Sequence, residues 1–376
     1  MLYFLAHWIE LVFSPPGFGI FQYITVRAAS AAITALIISF IFGPFIIKKL
    51  KNHQIGEQNK IELTGVGNHH LKSGTPTMGG LIILLAVLLP TILWANMSNW
   101  YVVLVLITTL FLGLVGFLDD YLKVVKKYQK GLIGRYKIVG QVFIGIVLGG
   151  VIYFFPELFG KNFELFNTLT TVPFAKNLNF DFGLLYIPVV IFILTATSNA
   201  VNLTDGLDGL AIGTVGIVAL ALALICYVTG NVGFAKYLNI VYLNGAGELT
   251  IFAAALVGAS LGFLWYNAYP AQVFMGDTGS LALGGAIGAL CILVKKEFLL
   301  PILGCVFFLE ALSVIIQVTY FKYTKKKNGE GRRIFLIAPI HHHFEKRGVH
   351  ESKIVIRYYI IAIIVAIISL ATFKVR

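Results

Sequence analysis

Ten runs of roughly 20 apolar residues recur along this chain, at about 23–46, 78–96, 99–118, 136–155, 184–203, 209–229, 249–268, 279–295, 298–320 and 354–373. A helix of about 20 residues spans the hydrocarbon core of a bilayer. Inside lipid a chain must satisfy its own backbone polar groups, which helices do. Neither periodicity nor turn chemistry suggests barrel strands. The expected fold is therefore an all-α polytopic integral membrane protein, with ten transmembrane helices in a single domain over 1–376. Composition agrees: 12% of residues are charged and 58% hydrophobic, against about 25% charged in soluble domains. The first fifteen residues are apolar but lack a basic leader and contain His7 and Glu10. They read as an interfacial helix ending near Pro15-Pro16, not a cleaved signal.

Lys and Arg set the orientation. Ten spans place the loops at about 47–77, 119–137, 204–208, 269–278 and 321–357 on one side, and these hold 21 of the 29 basic residues. That side is expected to be cytoplasmic, with both termini on the other. The net charge of +12 is thus a membrane-orientation signal, and no nucleic-acid partner is expected. Cys226, Cys291 and Cys305 all lie in hydrophobic stretches without metal-ligand spacing and read as packing residues.

Six aspartates occur in the chain, and five fall in three motifs beside apolar runs: Asp119-Asp120, Asp205 with Asp208, and Asp277. The sixth, Asp181, is expected in a loop. Carboxylates at the edge of hydrocarbon are costly, so a cluster implies a metal, a proton or a charged substrate. All five fall on the expected cytoplasmic side and are expected to share one acidic site there. Lys123 and Lys127 follow Asp119-Asp120 at helical spacing and can hold phosphate oxygens. A solvated helix end with local ion pairs is the alternative. Asn199 and Asn202 lie three apart, so a helix presents both toward the turn at Asp205. Gly206 and Gly209 allow close ligand approach there, while Asp208 can also cap the next helix. Asp277 is a hard oxygen ligand suited to Mg²⁺, or simply a helix cap. In the same segment lie Asn267 and Phe274. Phe274 can stack on a flat base or anchor the loop.

Two basic elements complete this face. Lys72-Ser73-Gly74-Thr75-Pro76-Thr77-Met78-Gly79-Gly80 lacks the Walker order, yet its Lys72 and Thr77 can cradle phosphates. His341, His342 and His343 cannot all aim at one centre from a regular element. In an extended chain the first and third share a side. Binding or protonating a diphosphate suits them better than zinc. Glu310 and Gln317 lie within the ninth span, and an intramembrane carboxylate is a functional candidate.

These residues together resemble the polyprenyl-phosphate N-acetylhexosamine-1-phosphate transferase superfamily. The matching pieces are Gly74-Thr75-Pro76-Thr77-Met78-Gly79-Gly80, Asp119-Asp120 with Lys123 and Lys127, Asn199 through Gly209, Phe274-Met275-Gly276-Asp277, and Pro339 through Glu345. They occur in the superfamily's order across nearly the whole chain. The triple histidine and Thr75-Pro76-Thr77-Met78-Gly79-Gly80 favour the muramoyl-pentapeptide branch over the GlcNAc-1-phosphate branch. The resemblance implies ten transmembrane helices, Mg²⁺ dependence and a homodimer. It implies that UDP-MurNAc-pentapeptide and undecaprenyl phosphate give lipid I and UMP. It further implies that Asp277 is the metal ligand, that Asp119 and Asp120 are catalytic, and that His341 belongs to the active site with His342 and His343. Lys72, Asn202, Gly206, Leu207, Asp208 and Phe274 would bind nucleotide and diphosphate. Thr77, Lys123, Lys127, Asn199, Asp205, Asn267 and Gln317 complete the candidate substrate-binding set. The stretch Ile61–Asn68 departs from the superfamily's usual Arg- and Pro-containing sequence. A proton-coupled transporter, the rival from another class, would place its site near the midplane. Here the polar motifs gather at one face.

Overall fold

The apolar runs fold as helices, and the breaks between them follow local chemistry. A computed structural model describes residues 1–13, 17–53, 74–128, 131–160, 163–175 and 178–374. Lys72, His69-His70 and the 61–68 stretch lie outside the described residues. The helices are α1 (Leu2–Phe13), α2 (Ile24–His53), α3 (Gly80–Trp94), α4 (Trp100–Val124), α5 (Gly134–Phe154), α6 (Tyr186–Thr204) and α7 (Leu210–Thr229). They continue with α8 (Val232–Leu238), α9 (Leu249–Asn267), α10 (Gly276–Leu293), α11 (Leu300–Leu303), α12 (Cys305–Asn328), α13 (Ile340–Lys346) and α14 (Glu351–Ala371).

Among the described residues nine helices are long and apolar enough to cross a membrane: α2, α4 to α7, α9, α10, α12 and α14. The second expected span is α3, with only 15 residues. At 1.5 Å per residue it is about 22 Å long, short of a hydrocarbon core of about 30 Å. The ninth span is displaced from 298–320 to Cys305–Asn328. Pro301 sits at the start of α11 and Gly304 ends it, so the apolar run breaks before the long helix begins. A small antiparallel ladder departs from an all-α reading: β1 (Leu169–Thr171) pairs with β2 (Asn179–Asp181). Asp181 is thus in a strand, where its carboxylate accepts from Thr168 Oγ1 at 2.6 Å and from the Gly183 amide at 2.8 Å.

Helix α10 lies at the centre, 89% buried, packed on α3, α4, α6 and α7. Lipid tails are as apolar as leucine, so helices associate through close packing, which small residues permit. The sequence of α10 is rich in Gly and Ala for this reason. A Cβ on Gly116 of α4 would lie 2.1 Å from the Asp277 carbonyl oxygen, and one on Gly284 would lie 2.5 Å from the Ser198 Cα. Helix α9 meets α2 the same way, at Gly258 against Ala32.

The two ends of the bundle differ. At one, Arg27 pairs with Glu248 at 2.6 Å. There too the buried Lys295 donates to Tyr186 Oη and the Asn167 carbonyl, both at 2.6 Å, and Tyr186 donates to Glu297 at 2.9 Å. At the other end, hydrogen bonds tie together the C-termini of α4, α6 and α9 and the N-termini of α3, α5, α7, α10 and α14. The crossing at Gly116 positions that second end. Gly116→Ala is expected to cost about 1–3 kcal/mol through overpacking. It should lower both the thermal midpoint in detergent and the activity, because the atom met is the backbone of Asp277.

Candidate active site

Helix α10 begins at Gly276 without a side-chain cap from Met275, leaving amide N–H groups that need acceptors. Asp120, in the last turns of α4, supplies them. Its Oδ1 accepts from the Asp277 amide at 3.1 Å, and its Oδ2 from the Thr278 amide at 2.9 Å and Thr278 Oγ1 at 2.6 Å. The carboxylate is buried and lies at the positive end of a helix dipole, a favourable place for it. Gly276 has φ +73°, and a Cβ there would meet Asp120 Oδ2 at 2.7 Å and Thr77 Oγ1 at 2.9 Å. The α3 entry is held by backbone bonds. Phe274 donates to the Pro76 carbonyl, Gly79 to that of Phe274 and Gly80 to that of Met275, at 2.8, 2.9 and 2.8 Å.

Asp119, Asp120 and Asp277 each offer a carboxylate oxygen within 4.8 Å of the others. Two lysines stand among them. Lys123 Nζ lies 2.5 Å from Asp119 Oδ2 and 3.7 Å from Asp277 Oδ2. Lys137 Nζ, in the first turn of α5, is 3.0 Å from Asp119 Oδ2 and pairs closely with Asp277 Oδ2. Gly131 lies against Asp119 and Lys123, and the Leu132 amide donates to Asp119 Oδ1 at 2.7 Å. Asn202 of α6 donates to Asp277 Oδ1 at 2.9 Å and to Ser280 Oγ at 2.7 Å. Every oxygen of this centre is thereby turned toward a donor or cation. Three hard carboxylate donors in this space suit a divalent cation of the Mg²⁺ type.

Helix α6 ends two residues beyond Asn202, and Gly206 then meets His341. A Cβ on Gly206 would lie 2.2 Å from His341 Nε2, so only glycine allows the ring to seat there. His341 is fully buried, with Nδ1 3.0 Å from Glu310 Oε2. Burial holds its imidazole below the ordinary value despite the nearby carboxylate.

Residues 102–295 match the family described as Glycosyl transferase family 4. Residues 72–84 match Phospho-N-acetylmuramoyl-pentapeptide-transferase signature 1. The chain is 52% identical to the phospho-N-acetylmuramoyl-pentapeptide-transferase of Chloroherpeton thalassium over the full length of both. It is 51% identical to that of Salinibacter ruber and 48% to that of Flavobacterium johnsoniae, again covering all of each chain. The chain belongs to the phospho-N-acetylmuramoyl-pentapeptide-transferase family. With its apolar helices, this makes it a multi-pass protein of the bacterial inner membrane.

The signature of that family contains Thr77, and the structure sets Thr77 beside Gly276 and Asp120. Other candidates are placed further from the carboxylates or hold the scaffold. Lys127 is exposed beyond the end of α4, with φ +54°. Asn202 reaches Asp277 and Ser280 of α10 instead of the turn at Asp205, and Asn199 points elsewhere. It donates to Gln141 Oε1 at 3.0 Å and to the Thr195 carbonyl at 2.8 Å, while buried Gln141 donates to Ser198 Oγ at 3.0 Å. Asp205 closes α6. Leu207 is buried among Leu210, Val306, Ile354 and Val355. Asp208 does not cap α7, whose N-cap is Gly209 without a side-chain bond. Instead its carboxylate accepts from the Ala271 amide at 3.0 Å, and its own amide donates to Glu351 at 2.6 Å. Asn267 joins the same two loops, accepting from the Gly209 amide at 3.1 Å and donating to the Val273 carbonyl at 2.9 Å.

The histidines lie on a short helix, α13, not an extended chain, so successive side chains fan around its axis. His342 meets Glu345 at 2.9 Å, and His343 Nδ1 accepts from the Leu336 amide at 3.1 Å. Gln317 holds the preceding loop, accepting from the Ile334 and Phe335 amides and donating to the Phe335 carbonyl.

Lys137 was not among the sequence candidates, because it counts equally well as an orienting charge. A signal was present: a cation in the first turn of a helix opposes the helix dipole and calls for an acidic partner. The Asp120 geometry yields a prediction. Asp120→Asn turns an NH₂ group toward N–H donors or strands one of them, at a cost of about 1–3 kcal/mol. Activity should fall and the thermal midpoint drop, and assay at pH 9 should not restore turnover. Recovery at pH 9 without added metal would assign Asp120 to proton abstraction instead.

Proposed function

We propose that this protein transfers phospho-N-acetylmuramoyl-pentapeptide from UDP-MurNAc-pentapeptide to undecaprenyl phosphate, giving lipid I and UMP. The observation that carries this reading is the Asp119–Asp120–Asp277 cluster with Lys123 and Lys137, in a chain half identical to named transferases along its whole length. The proposed topology has ten spans, with α3 as the tenth, both termini periplasmic and the carboxylate end cytoplasmic. The chain acts as one membrane domain and as a homodimer. A site at the inner boundary meets a polyprenyl tail from the bilayer and a nucleotide from the cytosol.

An oxygen of the lipid phosphate attacks the β-phosphorus of the UDP-sugar. The new O–P bond forms as the bond to UMP breaks, and UMP leaves with the electron pair. A phosphate monoester has a second pKa of about 6, so at neutral pH the nucleophile is mostly deprotonated already. Strong general-base help is unnecessary, and positioning with charge neutralisation is the main requirement. Lys123 and Lys137 approach phosphate oxygens as they now approach the carboxylates. Asn202 orients Asp277, and Asp120 fixes the helix start from which Asp277 projects. Asp277, with Asp119, would hold Mg²⁺, which supplies Lewis-acid stabilisation of phosphoryl oxygens when bound. The Gly206 turn, Thr77 and Phe274 are assigned to the nucleotide and diphosphate, with Asp208 holding the Gly206 turn to the 269–273 loop. Lys72 is proposed to join them.

Purified protein given undecaprenyl phosphate and UDP-MurNAc-pentapeptide should release UMP with Mg²⁺ and stop on chelation. UDP-GlcNAc should not substitute. Absence of Mg²⁺-dependent UMP release would sink the assignment. Lys137→Met should cut turnover by roughly 10²–10³-fold, the scale of losing one preorganised electrostatic group. An unchanged rate would remove Lys137 from the site.

A further inference from the structure

Glu310 is a fully buried carboxylate within α12 that the reaction above does not use. Its Oε2 lies 3.0 Å from His341 Nδ1, and the His341 amide turns toward the same oxygen at 3.5 Å. The phenol of Tyr358, from α14, also lies near this carboxylate, whose Oε1 has no hydrogen-bond partner among the described residues. The His341 amide points its N–H at Oε2, which serves as an acceptor there. Where Oε2 accepts from the ring as well, the ring proton sits on Nδ1. In neutral imidazole the other nitrogen is then a bare lone pair.

That second nitrogen, Nε2, is buried and has no hydrogen-bond partner among the described residues. It faces Gly206, where even a methyl group would collide with it. A proton on Nε2 would be a buried donor without an acceptor, which is costly. The titratable groups facing the ring are Glu310 from α12, and His342 and Glu345 from α13 itself, with Tyr358 of α14 near Glu310.

We infer that Glu310 is a positioning residue that locks His341 with its proton on Nδ1, so that Nε2 meets the Gly206 turn as a lone-pair acceptor. In this state His341 does not donate to an unprotonated phosphate oxygen, contrary to the role its sequence suggests. The group it receives is a donor, such as a ligand hydroxyl, amide or protonated phosphate oxygen. Gly206 is four residues beyond Asn202, so the same chain end carries the partner of Asp277 and the seat of His341.

The ring can be read directly in ¹⁵N-histidine-labelled full-length protein, with the His341 signal identified by its loss in His341→Asn. The expected spectrum at pH 7 shows a protonated Nδ1 and a bare Nε2. Glu310→Met removes the acceptor and should move the proton to Nε2, while Glu310→Gln, whose carbonyl still accepts, should keep it on Nδ1. UMP release should fall by roughly 10-fold or more in Glu310→Met, the lower end of the loss when the outer partner of a metal-bound histidine is removed, and by much less in Glu310→Gln. A wild-type proton on Nε2 overturns the inference, even if both variants fail to fold. So does an unchanged tautomer in Glu310→Met, or an equal loss of turnover in both variants. Only the turnover arm rests on the proposed reaction; the spectrum tests the dyad whether or not UMP is released.

Discussion

The contact between the Asp120 carboxylate and the first amides of α10 sets the rest of the site. A helix entering from a loop leaves its first N–H groups without partners, and near the bilayer water is a poor remedy. Asp120 satisfies the Asp277 and Thr278 amides from a different helix. The cap therefore also locks α4 to α10 in axial register. Asp277 is the second residue of α10, so its side chain begins from a fixed point. Asp119 is the neighbour of Asp120, so the same lock brings the second carboxylate into place. The glycine crossing at Gly116 permits the approach, and the capping bonds determine where along the helices it stops.

Electrostatics explains why such a centre can persist beside hydrocarbon. Three carboxylates this close repel one another, and two ammonium groups placed between Asp119 and Asp277 offset that repulsion. The pairs are charge-assisted and partly buried, so they are less screened than surface pairs. Asn202 adds a neutral donor on the other side of Asp277. A divalent cation held by these carboxylates would share their oxygens with Lys123 and Lys137, whose ammonium groups could then pair with anionic phosphate oxygens.

Much of the architecture was legible because lipid imposes simple rules: span length and the high cost of stray carboxylates. Asp119, Asp120, Asp277 and Lys123 were recoverable as a cluster from scarcity and helical spacing. What was not legible depends on tertiary direction. Asn199 and Asn202 share helical spacing, yet Asn199 turns to Gln141 and its own helix, because α5 packs on that side. Asn267 and Asp208 look like ligand groups in sequence, but the two loops they join need their hydrogen bonds. The shift of the ninth span was readable in principle from Pro301 and Gly304, whose effect outweighs the continuous apolar run. Lys137 was hidden because one cation serves orientation and chemistry with the same sequence signal.

The division between groups at the centre and groups that hold its frame bears on how catalysis is distributed. Of the polar residues tied up within the scaffold, Asn267 and Gln317 fix loops, and Gln141 ties α5 to α6. Each ordered polar loop at this boundary needs partners for its own backbone, and those partners are taken from residue types that resemble ligand contacts. Among the described residues, the side chains facing the carboxylates come from α4, α5, α6 and α10 and from Thr77 ahead of α3. A site assembled across so many helix ends has little covalent tolerance for misplacement, since a shift of one helix moves one charge relative to the others. Rigidity here comes from caps and close glycine crossings, because lipid provides no hydrophobic drive between helices. Phosphoryl-group transfer asks mainly for placement of charge, and packed helix ends meet that demand better than a mobile loop would.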